Sequence, residues 1–301
     1  MFDLKIGFDC NNNCIHCVVA EKRSAGSLSM LDIRNIVSTI PYGSSVQITG
    51  GEPSQYSYLP EILALCKDRN LTTVIQSNAT GFANRSFLDK CDGLIDHVHV
   101  AIHSSNEAVH NKIVHDNKGI MWKLTLDGWK NLIDKGISTT TQTVLSTYNI
   151  ETLYDTFSFI QSIKPGTQMS MTYPHLMGNA LKNKDDICFR YSDYKDIIQK
   201  TLKDFSSYIF TEAIPSCITY PYLPVASAEA DILAGISRDG IDFSDSATNK
   251  KNYNLLDTRS KRKGPLCKEC IFNNRCLGVW KEYIDMYKNR LDLIPVKENL
   301  R

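Results

Sequence analysis

Cys10-Asn11-Asn12-Asn13-Cys14-Ile15-His16-Cys17 stands directly after a short apolar run, Phe2 to Phe8. Three thiols within eight residues, on a loop leaving a strand, can hold three corners of a metal cluster and leave one coordination position open. Structural zinc uses the same side chains, but it joins Cys-x2–4-Cys pairs into a set of four. No fourth cysteine lies close to Cys10–Cys17 in the chain. The open corner is where chemistry would take place.

Outward from this loop, β-rich and helical stretches alternate. Strands are predicted at Asp3–Phe8, Ser45–Thr49, Thr72–Ser77, His97–His103, Ser138–Leu145 and Gln168–Tyr173. Helices are predicted over Met30–Thr39, Leu59–Arg69, Arg85–Lys90, Met121–Lys135 and Thr152–Ile163. Ser29, with Asp32 three residues on, gives the first helix a capping box. The alternation predicts βαβ units and a parallel sheet, hence an α/β fold. Six strands are too few for a closed eight-stranded barrel, so an open or partial barrel is expected.

In such folds ligands bind at the carboxyl ends of the strands. Polar residues gather there: the cysteine loop follows strand one, Gly50-Gly51-Glu52-Pro53 follows strand two, and Gln76-Ser77-Asn78 ends strand three. His103-Ser104-Ser105 ends strand four, Gln142 lies within strand five, and Tyr173-Pro174-His175 ends strand six. Glycines after a strand let the backbone approach a ligand closely, and Glu52 can accept from an amino group.

Cys-x3-Cys-x2-Cys after the first strand, with Gly-Gly-Glu-Pro after the second, resembles the radical S-adenosylmethionine (radical SAM) superfamily over residues 2 to 175. The resemblance implies a partial (β/α)6 TIM-like barrel and a [4Fe–4S] cluster on Cys10, Cys14 and Cys17. The amino and carboxylate groups of SAM would occupy the open iron. One electron would split SAM into methionine and a 5′-deoxyadenosyl radical, which abstracts hydrogen from a substrate carbon. By the same resemblance Gly50, Gly51 and Glu52 bind the SAM amino group, and His16 offers backbone contacts to adenine. Ser104 and Gln142 match positions that contact the ribose or the methionine moiety. Lys22 and Arg23 can pair with the SAM carboxylate or form a solvated basic turn.

After strand six the texture changes. Tyr191–Phe205 predicts a helix, and residues Ser237–Lys263 are polar, predicting a long surface excursion. A boundary near residue 206 divides the barrel, 1–206, from a C-terminal part, 207–301. That part holds Cys267-x2-Cys270-x5-Cys276, then an amphipathic helix near Val279–Tyr287. A zinc ribbon could use this spacing. Beside a radical SAM core it resembles the SPASM and shorter Twitch domains, which carry auxiliary [4Fe–4S] clusters. The chain departs from the full pattern, since Trp280 stands where a Cys-x3-Cys continuation would put the next cysteine. The resemblance then implies one auxiliary [4Fe–4S] cluster, on Cys217, Cys267, Cys270 and Cys276. Cys188 is left as a candidate hydrogen donor to a substrate radical, or as inert packing. Cys66 and Cys91 lie in or beside helical patterns and read as buried structural thiols.

A net charge of +1 gives no reason to expect nucleic acid or acidic lipid as a partner. No apolar run approaches the ~20 residues of a membrane span. No signal peptide is recognisable before Cys10, and the cysteines form no disulfide framework, so a cytoplasmic home is expected. No Walker loop, Gly-x-Gly-x-x-Gly or nucleophile elbow competes. The expected function is that of a radical SAM enzyme modifying a ribosomally made peptide, reduced by a donor such as flavodoxin or ferredoxin. The alternative substrate is a small carbohydrate or amino acid derivative, dehydrogenated or epimerised. A reading from another class is a non-catalytic iron–sulfur or zinc-binding protein.

Overall fold

Seven strands follow one another in chain order across one parallel sheet: β1 (Phe2–Gly7), β2 (Ser45–Gly50), β3 (Thr72–Ser77), β4 (His97–Ala101), β5 (Ser138–Val144), β6 (Gln168–Thr172) and β7 (Ile209–Glu212). Each pairs parallel with the next. The computed structural model describes residues 1–222, 239–241, 250–252, 259–288 and 292–297. Beyond β1, the short β8 (Asp239–Ile241) adds in parallel and β9 (Lys250–Asn252) pairs antiparallel with β8. The first six strands lie within two residues of their expected bounds. β7 extends the sheet past residue 206, beyond the expected end of the barrel. Most of the expected excursion over 237–263 lies outside the described residues.

The helices, in order, are α1 (Met30–Thr39), α2 (Leu59–Asp68), α3 (Arg85–Asp89), α4 (Glu107–Ile113), α5 (Met121–Asp134), α6 (Leu153–Ile163), α7 (Gly178–Lys182), α8 (Lys184–Ile187), α9 (Tyr191–Phe205), α10 (Ser216–Thr219) and α11 (Lys281–Tyr287). α1 begins as its capping signal predicts: Ser29 Oγ accepts the Asp32 N–H at 3.1 Å and donates to the Asp32 carboxylate at 2.6 Å. α11 starts at Lys281 rather than Val279, because β11 (Val279–Trp280) pairs antiparallel with β10 (Lys261–Arg262). Among the described residues no helix is long and apolar enough to cross a membrane.

Side chains alternate between the two faces of a strand. On one face Leu4, Ile6, Val46, Ile48, Ile75, Val98, Val100, Met169 and Met171 are buried in the core with helix residues such as Ile33, Leu63, Trp129 and Phe157. Burying each such side chain stabilises the fold by about 1.5–3 kcal/mol. The other face is polar. Asp3, Lys5, Gln47, Thr49, Gln76, Gln142, Thr172 and Glu212 line a cavity of about 440 Å³. The sheet is therefore a partial barrel held from outside by helices, with a polar lumen.

The C-terminal segment docks on the barrel through aromatic and polar contacts. Trp280 Nε1 donates to the Tyr173 carbonyl at 3.1 Å, and the Tyr283 hydroxyl donates to Asp292 at 2.7 Å while accepting the Tyr191 N–H at 3.0 Å.

Candidate active site

The cysteine loop leaves β1 and is braced from several sides. Asn13 and Ile15 donate their N–H groups to the Val114 and Ile113 carbonyls at the end of α4, at 3.0 and 2.9 Å. From the opposite side, the Asn179 and Asn183 amides donate to the carbonyls of Cys14 and Ile15 at 3.0 and 2.9 Å. Glycine is needed where α7 approaches: Gly178 has φ +55°, and a Cβ there would lie 2.6 Å from the Cys17 carbonyl oxygen. The Arg23 guanidinium donates to the carbonyls of Asn12 and Cys10, so it serves as a loop brace. Asn11 closes the network, donating to Thr80 Oγ1 at 2.8 Å and accepting from Asn78 Nδ2 at 2.9 Å.

Cys10, Cys14 and Cys17 all face the lumen cavity as free thiols. Burial, and next the Glu52 carboxylate, pushes the Cys10 thiol up to about 12; burial also raises Cys14, aided by Cys10 and Cys17. Burial thus favours neutral thiols at Cys10 and Cys14 until a cation draws off their protons, as metal binding does. Three such donors on one braced loop fit a cluster that leaves one iron open.

Beside them β2 ends against the end of β1. Gly51 N–H donates to the Gly7 carbonyl and Glu52 N–H to the Asp9 carbonyl, both at 2.8 Å. Gly50 adopts φ +125°, a region open to glycine. The Glu52 carboxylate is 1% exposed. Its Oε1 accepts from Ser54 N–H at 2.9 Å, Ser54 Oγ at 2.7 Å and Ser77 Oγ at 2.6 Å, while Oε2 accepts the Asn78 N–H. Burial raises its pKa against the pull of these four donors. Glu52 therefore clamps the ends of β2 and β3 together, and Oε2 keeps acceptor capacity for a ligand. Glu52→Gln turns an N–H2 group toward donors, and the metal-free chain is expected to lose about 2–4 kcal/mol. A chemical denaturation midpoint unchanged by the substitution would refute the clamp.

The other expected site residues divide. His16 and Gln142 line the cavity. Gln142 ends a run of amides in which Thr49 Oγ1 donates to Gln76 Oε1 at 3.1 Å and Gln76 Nε2 donates to Gln142 Oε1 at 3.0 Å. Ser104 is fully buried outside the lining, its Oγ accepting the Asn106 N–H at 3.0 Å ahead of α4. Its neighbour His103 faces the cavity instead. Cys188 also lies off the lining, packed by the Tyr173 hydroxyl, with burial pushing its thiol up to about 11. Sequence reasoning passed over Asp3, Lys5, Gln47 and Glu212 in the lumen; the alternating polar positions of β1 and β2 carried the signal for the first three, whereas Glu212 ends β7. Trp280, noted only as a missing cysteine, reaches the cavity and stacks face to face on His175 at 4.0 Å and 7°.

A second pocket is lined by Cys217 of α10 together with Cys267, Cys270 and Cys276. Burial, then the nearby Cys276, Cys267 and Cys270, pushes Cys217 up to about 12. Gly278 N–H donates to Cys276 Sγ at 3.3 Å. Four converging thiols suit a closed cluster.

The fold is similar to several solved structures. Native anSMEcpe with bound AdoMet and Cp18Cys peptide is 12% identical, with a TM-score of 0.67 over 93% of this chain and 89% of that one. Streptococcus suis SuiB bound to S-adenosylmethionine is 15% identical, with a TM-score of 0.63 over 99% of this chain and 76% of that one. SuiB bound to precursor peptide SuiA is 16% identical, with a TM-score of 0.65 over 99% of this chain and 74% of that one. No curated protein sequence matches significantly. Residues 4–160, more than half of the chain, match the profile of the Radical SAM superfamily. With that match spanning the cysteine loop after β1 and the Gly-Gly-Glu-Pro turn after β2, the chain belongs to the radical SAM superfamily.

Proposed function

We propose that Cys10, Cys14 and Cys17 hold a [4Fe–4S] cluster whose open iron takes S-adenosylmethionine, and that the enzyme abstracts hydrogen from a carbon of a peptide. One observation carries this reading: the three thiols, the Gly50-Gly51-Glu52 turn and the polar lumen all face a single cavity. Cys217, Cys267, Cys270 and Cys276 hold an auxiliary [4Fe–4S] cluster, in a C-terminal part that begins beyond β7 because residues 209–212 belong to the barrel sheet. When bound, the first cluster supplies the electron that splits SAM reductively, giving the 5′-deoxyadenosyl radical. The chain's own residues bind and orient. Gly50 and Gly51 let the end of β2 lie directly against the segment that leads into Cys10, Glu52 Oε2 accepts from the amino group, and Gln142 presents amide N–H groups to ligand oxygens. His175 and Trp280 wall the cavity toward the C-terminal part.

The peptide substrate is supported by the likeness to proteins described with bound peptides. A small polar molecule is the second reading, favoured by the charged and amide groups Asp3, Lys5, Gln47 and Glu212 in the lumen. The electron comes from a flavodoxin- or ferredoxin-type donor in the cytoplasm. Anaerobic reconstitution with iron and sulfide, followed by dithionite and SAM, is expected to yield 5′-deoxyadenosine. Failure to exceed a Cys14→Ala control would overturn the enzymatic reading. Co-expression with a short peptide encoded beside the gene, read by mass spectrometry, separates the substrates: an unmodified peptide shifts the assignment to a small molecule.

A further inference from the structure

Three histidine rings meet in a row that starts on the cysteine loop, at His16. The rings of His16 and His103 meet edge to face at 4.6 Å, and those of His103 and His110 lie nearly parallel at 5.6 Å. His103 is held on every side but one. Its N–H donates to His110 Nδ1 at 3.3 Å, its carbonyl accepts from Asn149 Nδ2 at 2.8 Å, and its Nδ1 accepts the Val144 N–H at 3.4 Å. A ring nitrogen that accepts an N–H carries a lone pair, so acceptance at Nδ1 places the ring proton on Nε2. No described group takes that Nε2–H. A ring nitrogen of His103, one of His16 and Cys14 Sγ lie within 4.8 Å of one another. Helix α4 links the two sides of this arrangement, since it carries His110 and also ends on the carbonyls that hold Asn13 and Ile15.

We propose that His103 is a positioning residue that donates its Nε2–H to the sulfur-rich corner of the cluster held by Cys14. The inference rests on the cluster assignment made above. An N–H donor stabilises the more negative, reduced cluster, and hydrogen bonds to sulfur together with solvent exposure set cluster potentials. The Val144 N–H on Nδ1 fixes the His103 ring, so the donor stays aimed without further ordering.

The test is a redox titration of the reconstituted full chain, followed by electron paramagnetic resonance with SAM present, because a ligand at the open iron perturbs only that cluster's signal. His103→Phe keeps the ring volume and removes the donor. At fixed potential its ratio of reduced to oxidised cluster is expected to fall about tenfold, equivalent to about 59 mV for one electron. His103→Gln, which retains an N–H donor, is expected to recover most of that loss. In wild-type protein labelled with ¹⁵N-histidine, pulsed resonance is expected to show a weakly coupled histidine nitrogen that disappears in His103→Gln. An unchanged potential in an iron-replete Phe variant overturns the proposal. So does absence of the coupling in wild type, which decides the matter if the Phe variant does not hold iron. If wild type assembles no cluster on the three cysteines, the functional reading fails as well; a cluster with unshifted potential removes only the role of His103.

Discussion

Gly51→Ala is expected to reduce SAM cleavage about 100-fold while every thiol stays in place. A Cβ at residue 51 would lie 2.0 Å from the Asp9 carbonyl oxygen and 2.6 Å from the carbonyl carbons of Asp9 and Phe8. These are backbone atoms of the segment that becomes Cys10, so no side chain can swing aside. The end of β2 must retreat, breaking the 2.8 Å bonds from Gly51 to Gly7 and from Glu52 to Asp9. A displacement of about 1 Å between a bound ligand and its reaction partner costs about 100-fold in rate. Overpacking of this kind also costs about 1–3 kcal/mol of stability. The measurement is 5′-deoxyadenosine formation per reconstituted cluster, alongside a thermal melt. Full activity in this variant would mean that the approach of β2 to β1 does not build the SAM site.

Cys217→Ala is expected to leave one iron of the auxiliary cluster without a cysteine, altering its Mössbauer spectrum and lowering the iron content below about eight atoms per chain, with SAM cleavage retained and substrate conversion lost. Cys217 sits on α10, about 50 residues before the other three thiols of its pocket, and it is 9% exposed. Those three cannot close a four-iron cluster alone. The cluster also acts as a cross-link whose loop entropy, treated like that of a disulfide, is worth about 4 kcal/mol, so the loaded variant should melt earlier. Iron and sulfide assays with Mössbauer spectra provide the readout. An iron content near eight with an unaltered spectrum would remove Cys217 from the ligand set.

Much of the barrel is legible in the chain because β1 to β6 are short β-rich runs bounded by turn residues, and the cysteine motif is local. β7 escaped notice because four residues, Ile209–Glu212, carry too little pattern between a long helix and a proline-rich stretch. The braces on the cysteine loop were illegible for another reason. Asn179 and Asn183 reach Cys14 and Ile15 across more than 160 residues of chain, and nothing near either asparagine marks that destination. Ser104 and His103 are adjacent, and only the path of the backbone after β4 decides which one faces the cavity. Cys188 and Cys217 likewise look alike in the sequence, each a lone cysteine. Tertiary packing sends one to Tyr173 and the other to three more thiols. Glu52 is recognisable as a carboxylate, but its four donors come from three residues that the fold collects.

The two faces of the barrel sheet answer to different constraints. Truncating Ile48 or Ile75 to alanine would open a void beneath the helices and cost about 2–5 kcal/mol. Exchanging Gln47 or Gln76 would remove hydrogen bonds worth about 1 kcal/mol each, in a lumen lined by polar side chains. Substrate choice can therefore drift by replacement of lumen side chains while the scaffold and the cysteine loop stay as they are. Such a sheet can acquire a new reactant without having to find a new fold.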